Sequence, residues 1–367
     1  MTTPTPTIWP IEPHTIAKHE ILKNYLQAWF PILGGTSGRI IYLDGFAGPG
    51  IYIDGEDGSP VIALKTAQEH ILQSHFKAEM NFLFVERDNE RAKILRKILH
   101  DSFPNLPSTI IYEVLDAEFA PTLSSVLDKL EKDGAKLAPT LAFIDPFGFS
   151  GLPMRLIGRM MAYEKCEVII TFMSGFVNRF LDEFREDTLD ELFACSEWRE
   201  INLIKDPDKR QKSLIDLYTK QLKLIGNAVY TRNFEMIGQH NQPIYNLIFG
   251  TKHWKGLKAM KEAMCRVDRR GTYTFSDLTD VKQAYLIDYS TEEHWLPVAG
   301  DIVFNHFKGK KASINEIEKY VITDTPYIFR KSILRNIEMR NPPGIVNVEG
   351  RKRKYTHPDG CIIQFSM

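Results

Sequence analysis

The sequence predicts an α/β fold: a doubly wound, mostly parallel sheet finished by an antiparallel hairpin, with a small basic domain behind it. Three observations carry this. Between residues 39 and 172, five short apolar runs alternate with longer helix-like stretches, the pattern of consecutive βα units. The five runs are nearly continuous in apolar residues instead of alternating, as strands covered on both faces must be. Two further runs, NAVYTRNFEMI (227–237) and PIYNLIFGTK (243–252), are separated only by the polar turn GQHNQ, which suits an antiparallel pair.

In chain order, HTIAKHEILKNYLQAWFPIL opens the protein as a helix with apolar positions at helical spacing. RIIYLD (39–44) is the first strand, and Ser59-Pro60 starts the next helix, with a capping residue followed by proline at the first helical position. NFLFVE (81–86), STIIYEVLD (108–116), TLAFID (140–145) and CEVIITFM (166–173) are strands two to five, each followed by a helical stretch. Residues 176–224 read as a helical insertion, and a helix is expected at about 255–266. DRRGTYTFSDLTD is polar and without clear periodicity, so residues 267–299 are expected to be a linker between a body of residues 1–266 and a domain of residues 300–367. That domain reads as three short helices (300–307, 313–323 and 327–340) and a hairpin around Arg351, Lys352, Arg353 and Lys354, a pattern resembling a winged helix-turn-helix.

With 367 residues, 43% apolar and 25% charged, the chain has the composition of an ordinary globular protein. No run approaches the roughly 18 apolar residues of a membrane span, and the start, MTTPTPTIWP, lacks the order of a secretory signal, so the expected location is cytoplasmic. Cys166, Cys195, Cys265 and Cys361 lie far apart with no C-x-x-C spacing, which points to neither a zinc site nor a disulfide framework. The net charge of −1 is uneven. Residues 300–367 hold 12 Lys/Arg against 7 Asp/Glu, or +5, leaving −6 on the rest. A basic small domain on a mildly acidic body is the charge pattern of a nucleic-acid partner, and a solvated charged surface gives the same count.

The most informative stretch is YLDGFAGPG (42–50). The first strand stops at Asp44, and Gly45, Phe46, Ala47, Gly48, Pro49 and Gly50 must turn at the carboxyl edge of the sheet, where open α/β folds bind ligands. Glycine there gives positive-φ freedom and lets a ligand touch backbone. A Walker loop would need G-K-S/T after its glycines, but Ile51-Tyr52-Ile53 follows. Glu86, ending the second strand, can accept both hydroxyls of a ribose, and Asp116, ending the third, can face an adenine amino group. An acid for an ammonium, glycines along a chain and a ribose acceptor together describe S-adenosylmethionine. Lys18, with His19 near the start of the opening helix, can close over that cofactor or simply cap a packing helix.

The fourth strand ends in Asp145-Pro146-Phe147-Gly148, beside the glycine loop in the strand order 3-2-1-4-5. The tetrapeptide resembles the motif that amino-methyltransferases acting on nucleic-acid bases carry at this strand end, and the resemblance implies an exocyclic amine as the nucleophile; its lone pair is delocalised, so an acceptor must hold its N–H while the methyl arrives in line. Asp145 suits that role, with the Pro146 carbonyl as a second acceptor and Phe147 to stack on an unpaired or flipped base. The plain alternative is a turn that needs Pro and Gly for geometry alone.

On these residues the chain resembles known families. Asp44-x-Phe46-x-Gly48-x-Gly50 looks like motif I of class I methyltransferases, and Glu86 and Asp116 match that fold's ribose and adenine acids. Amino-methyltransferases acting on nucleic-acid bases carry Asp/Asn/Ser-Pro-Pro-aromatic at the end of strand four, and a family of tRNA guanine-N2 methyltransferases carries D-P-F-G. The ensemble of KHEILKNYLQAWFPIL, YLDGFAGPG, GSPVIAL, FVERD, FIDPFG and HWKGLKAMKEAM resembles the three-Cys-motif partner (TcmP) family over nearly the whole chain. It departs at Cys265, where an aromatic is expected. The resemblance implies a class I methyltransferase-like, Rossmann-like sheet of seven strands with an antiparallel last strand, S-adenosylmethionine as cofactor, a prokaryotic or phage setting, and a three-Cys-motif radical-SAM-like protein as partner. The expected function is methylation of a base amino group in DNA or RNA; the alternative is a non-catalytic adaptor that binds nucleic acid or steadies the partner. A nicotinamide enzyme fits less well, because its glycine loop runs straight into the helix.

Overall fold

The computed structural model describes residues 6–74, 78–181, 185–268, 272–278 and 292–367. The chain divides into two compact units, Met1–Val267 with Tyr273–Asp280, and Asp268–Thr272 with Val281–Met367.

The first unit is built on one sheet of β1 (Arg39–Asp44), β2 (Glu79–Glu86), β3 (Ile110–Asp116), β4 (Thr140–Ile144), β5 (Cys166–Phe172), β6 (Tyr230–Ile237), β7 (Pro243–Thr251) and β8 (Thr274–Ser276). Their order is β3-β2-β1-β4-β5-β7-β6-β8. β1 to β5 are parallel, and β7 is inserted between β5 and β6 antiparallel to both. This is the doubly wound, mostly parallel arrangement expected, with one strand inserted antiparallel near its end. It has eight strands where seven were expected, because β8 pairs parallel with β6 inside the stretch read as linker. Three residues among polar neighbours carry no periodicity. What recruits them is the burial of Tyr273 and Phe275, each 5% exposed.

Both faces of the sheet are covered, which explains the continuous apolar runs. Tyr42, Phe82, Phe84, Leu141, Phe143 and Ile169 pack against α1 (Pro13–Gly34), α2 (Ser59–Ser74), α3 (Asn89–Ser102) and α10 (Trp254–Val267). The alternate residues Leu43, Val85, Ala142, Ile144, Val168 and Ile170 pack against α4 (Phe119–Lys132), α5 (Met154–Ala162), α7 (Glu186–Phe193) and α9 (Pro207–Leu224). The insertion at 176–224 therefore completes one core layer: Leu189, Leu192, Phe193, Leu214 and Tyr218 are all buried in it. It also holds the short α6 (Ser174–Arg179) and α8 (Trp198–Asn202). Every residue of β4 and β5 is buried, so the centre of the sheet is dry and its carboxyl edge is held rigidly.

The second unit contains α11 (Glu292–Phe307), β9 (Lys311–Ser313), α12 (Ile314–Asp324), α13 (Lys331–Glu338), β10 (Ile345–Glu349) and β11 (Ile362–Phe365). The three strands pair in the order β10-β11-β9. α12 starts with a capping box in which Ser313 and Glu316 each satisfy the other's backbone N–H. α11 begins before residue 300 and carries Pro297 within it, a residue that reads from sequence as a break. Among the described residues no helix is long and apolar enough to cross a membrane, and no disulfide joins the four cysteines.

Candidate functional site

The glycine loop turns back at the end of β1, with φ at +62° for Gly48 and +79° for Gly50. The protein itself fills much of the space the glycines leave. A Cβ on Gly45 would lie 2.6 Å from the Phe119 ring, and one on Gly50 would lie 2.6 Å from Leu95 Cδ1. Gly48 is buried as well, and a Cβ on it would make ordinary contact with Trp9, 3.8 Å away.

Three strand-end carboxylates meet beneath and beside this loop. Asp44 is wholly buried. Ser59 Oγ donates to its Oδ2 at 2.7 Å and Phe46 N to its Oδ1 at 3.3 Å. Burial pushes the Asp44 carboxyl up to about 7 against those two hydrogen bonds, and the charges of Asp145 and Glu86 add to the rise. The ends of β1, β2 and β4 lie side by side because β1 pairs in parallel with both β2 and β4. Glu86 accepts from Gly48 N at its Oε2 and from Asp88 N at its Oε1, each at 2.8 Å, so it ties the loop to the end of β2. Asp145 Oδ2 lies 2.5 Å from Lys18 Nζ, in a pair whose side chains are 23% and 6% exposed. Burial works to raise the Asp145 carboxyl, and the Lys18 ammonium outweighs it and holds the group below its ordinary value.

An aromatic strap crosses the loop. The Trp9 carbonyl accepts from Ile53 N at 3.1 Å, and the Trp9 ring stands edge-on to Tyr52 and Phe147, at 5.9 and 5.4 Å. The Arg91 guanidinium sits 4.9 Å over Trp9 and 5.9 Å over Phe147, and donates to the Pro6 carbonyl. Arg91 belongs to the first turn of α3, whose N-cap Asp88 accepts from the N–H groups of Glu90 and Arg91.

Below lies a cleft of 500 Å³, within the range of roughly 300–1,000 Å³ typical of small-molecule sites. Gly45, Phe46, Glu86, Pro146 and Phe147 line it, as do Ala117, Glu118 and Phe119. Several residues singled out from sequence lie elsewhere. Asp44 is sealed behind the loop with Ala47 and Gly50, all buried, so it acts on the cleft through its charge and not by contact. Asp116 is exposed, with its Oδ2 accepting from Asn89 Nδ2, and it does not line the cleft; Ala117 and Glu118, the next two residues, do. Lys18 is spent on Asp145. Gly148, at φ +123° with open space around it, explains the last residue of D-P-F-G by backbone geometry. Trp9, Ser59, Arg91 and Phe119 were missed as site residues. Ser59 had been visible only as a helix start, and the others are separated in sequence from every motif.

In the second unit, Arg351 is not a free surface cation. Its Nη1 lies 2.6 Å from Glu338 Oε1, with side chains 19% and 5% exposed. Lys352, Arg353 and Lys354 are exposed.

No family model matches the chain, and no curated protein sequence does. Among solved structures, protein LPL1258 from Legionella pneumophila str. Philadelphia 1, described under family-model DUF519, aligns with a TM-score of 0.40 at 13% identity, over 66% of this chain and 85% of its own. Trm1 from Pyrococcus horikoshii, in complex with S-adenosyl-L-methionine, aligns at 0.37 and 8% over 72% and 61%. The plantazolicin methyltransferase BpumL, in complex with SAH, aligns at 0.27 and 10% over 65% and 85%.

Proposed function

We propose that the chain is an S-adenosylmethionine-dependent methyltransferase acting on an exocyclic amino group of a base in nucleic acid. The observation that carries this is one cleft at the carboxyl edge of a doubly wound sheet, lined by Glu86, by Gly45 and Phe46 of the glycine loop and by Pro146 and Phe147 next to Asp145, with Asp44 and Asp145 outside its lining but close enough to interact by charge. The cleft suits a nucleoside. Glu86 spends one lone pair of each oxygen on backbone N–H groups and retains others for two ribose hydroxyls. Phe46, Ala117, Phe119 and Pro146 offer flat apolar walls for a base.

When bound, the cofactor supplies an electrophilic methyl group that a nitrogen lone pair takes in line, leaving a thioether. The chain's own residues do the rest. Lys18 holds Asp145 anionic and fixes its orientation through Oδ2. Asp145 Oδ1 then accepts the amine N–H, keeping the nitrogen lone pair directed at the methyl; the displaced proton is shed to solvent. Asp44, near its midpoint at neutral pH, becomes fully ionised when a cation approaches and stabilises it there. Phe147 stacks on the target base. The second unit, three helices and a three-stranded sheet, supports the winged-helix reading in which it grips the nucleic acid.

Calorimetry should detect S-adenosylmethionine binding that weakens sharply in Glu86→Ala, and tritiated methyl should reach nucleic acid with wild type but not with Asp145→Ala. Binding indifferent to Glu86 would remove the cofactor assignment. One observation favours a second reading: Lys18 already occupies Asp145 Oδ2, which suits an adaptor that binds nucleic acid or a three-Cys-motif partner without turnover. Cofactor binding with no methyl transfer to any nucleic acid would select it.

A further inference from the structure

The second unit holds a cleft of 660 Å³ between α13 and the loop that follows β10. Lys331 and Arg335 come to it from α13, and Lys352 and Arg353 from the loop; no acidic residue lines it. Arg335, Lys352 and Arg353 have no carboxylate partner among the described residues. Lys331 pairs with Asp359 at 2.8 Å, but Asp359 is 93% exposed, so water and salt screen that contact and it is readily exchanged. Ser332 Oγ, on the same wall, is buried without a hydrogen-bond partner.

The loop is pinned so that these cations stay together. Glu338, at the end of α13, is 6% exposed and takes Arg351 Nη1 at 2.6 Å on Oε1, with His357 Nε2 3.2 Å from Oε2. Arg351 thus anchors the start of the segment carrying Lys352 and Arg353, and the buried His357 packs at its far end. Four like charges around one cleft repel each other unless an anion sits among them. Guanidinium forks match phosphate oxygens. The cations come from two facing elements, and a cleft of this volume far exceeds one phosphate group, so a chain of phosphates fits better than a single ion. Tyr355, at the rim and 36% exposed, presents a ring beside the cations.

We infer that this cleft is a groove for the phosphate backbone of a nucleic-acid strand, with Lys331, Arg335, Lys352 and Arg353 neutralising phosphates. Arg351, the first residue of the basic run, is the positioning residue that holds the groove open. The inference deepens the nucleic-acid reading above and is tested separately from methyl transfer.

The experiment is fluorescence anisotropy of the full chain with a labelled 20-nucleotide DNA duplex and its RNA counterpart between 50 and 200 mM salt. Four phosphate contacts, at about 0.9 each in the log-log slope, predict roughly a 150-fold loss of affinity for the duplex across that range. In Arg335→Ala/Arg353→Ala the slope should halve, leaving roughly a 12-fold loss, while the thermal melt is unchanged because both side chains are exposed. An unchanged affinity and slope in the double variant would overturn the groove. So would polyglutamate of matching charge competing as well as unlabelled oligonucleotide, since that is the behaviour of a site for acidic protein. Titration of the same samples with S-adenosylmethionine separates the two claims. Failure of the cofactor to bind, with salt-dependent binding intact, sinks the methyltransferase reading alone; the reverse sinks the groove alone.

Discussion

Replacing Lys18 by Met tests the pair on which the chemistry of Asp145 depends. In the wild type, burial favours a neutral Asp145 but the ammonium 2.5 Å away keeps its carboxyl below the ordinary 3.8. A group whose folded value is depressed contributes stability above its unfolded value and loses it as pH falls through the folded one. Without Lys18 the burial effect is opposed only by the smaller contributions of Thr171 and His19, and the Asp145 carboxyl rises. Breaking a buried pair typically costs about 3–5 kcal/mol, and because the Asp145 side chain is 23% exposed we expect about 2–4 kcal/mol at pH 8. For a unit of this size, at about 2 °C per kcal/mol, the melting temperature falls by about 4–8 °C. Near pH 4 the variant protonates Asp145, and most of the gap closes. The double variant Lys18→Met/Asp145→Asn removes both charges and should recover most of the loss at pH 8. Differential scanning calorimetry at pH 8 and pH 4 on the three proteins provides the measurement. A loss of the same size at both pH values, or a double variant as unstable as the single, would refute the argument that an uncompensated carboxylate is the cause.

Asp44→Asn has the opposite sign. The raised carboxyl of Asp44 makes its ionised form a burden that is fully present above about pH 7 and absent below its unfolded value of 3.8, so the amide should stabilise the protein by about 1–3 kcal/mol at pH 8 and by little at pH 4; destabilisation at pH 8 in a melt would contradict this. Glu86→Gln loses a charge-assisted acceptor for ribose, and S-adenosylmethionine affinity in calorimetry should drop about 10- to 100-fold. Gly45→Ala places a methyl 2.6 Å from the Phe119 ring and should cost about 1–3 kcal/mol, recovered in part by Phe119→Leu; a neutral Gly45→Ala melt would mean the loop is looser than its packing indicates. Arg351→Ala leaves Glu338 buried without its guanidinium and should destabilise the second unit by about 2–4 kcal/mol in urea, whereas Arg353→Ala should leave the urea midpoint unmoved.

Much of this protein was legible in its sequence. Continuous apolar runs separated by amphipathic stretches require strands with both faces covered, and β1 to β5 follow them nearly residue for residue. Capping chemistry is equally local: the helix expected from residue 313 starts at the cap Ser313, and the structure adds Glu316 as the other half of a capping box. The strand ends Asp44, Glu86 and Asp145 were legible as well, because strand boundaries decide which residues reach the carboxyl edge. What each of those side chains touches was decided only when the chain closed. Lys18 finds Asp145 across 127 positions, Trp9 and Arg91 meet over Phe147, and Asp44 is taken by Ser59. Asp116 turns to Asn89 and leaves its neighbours to line the cleft, while Arg351 turns inward to Glu338 and leaves the surface to Lys352 and Arg353. Periodicity sets which face of an element is buried, because burial acts on every turn and every second residue alike. A single ion pair or ring contact depends on the distance between two elements far apart in sequence, and no local pattern encodes that distance.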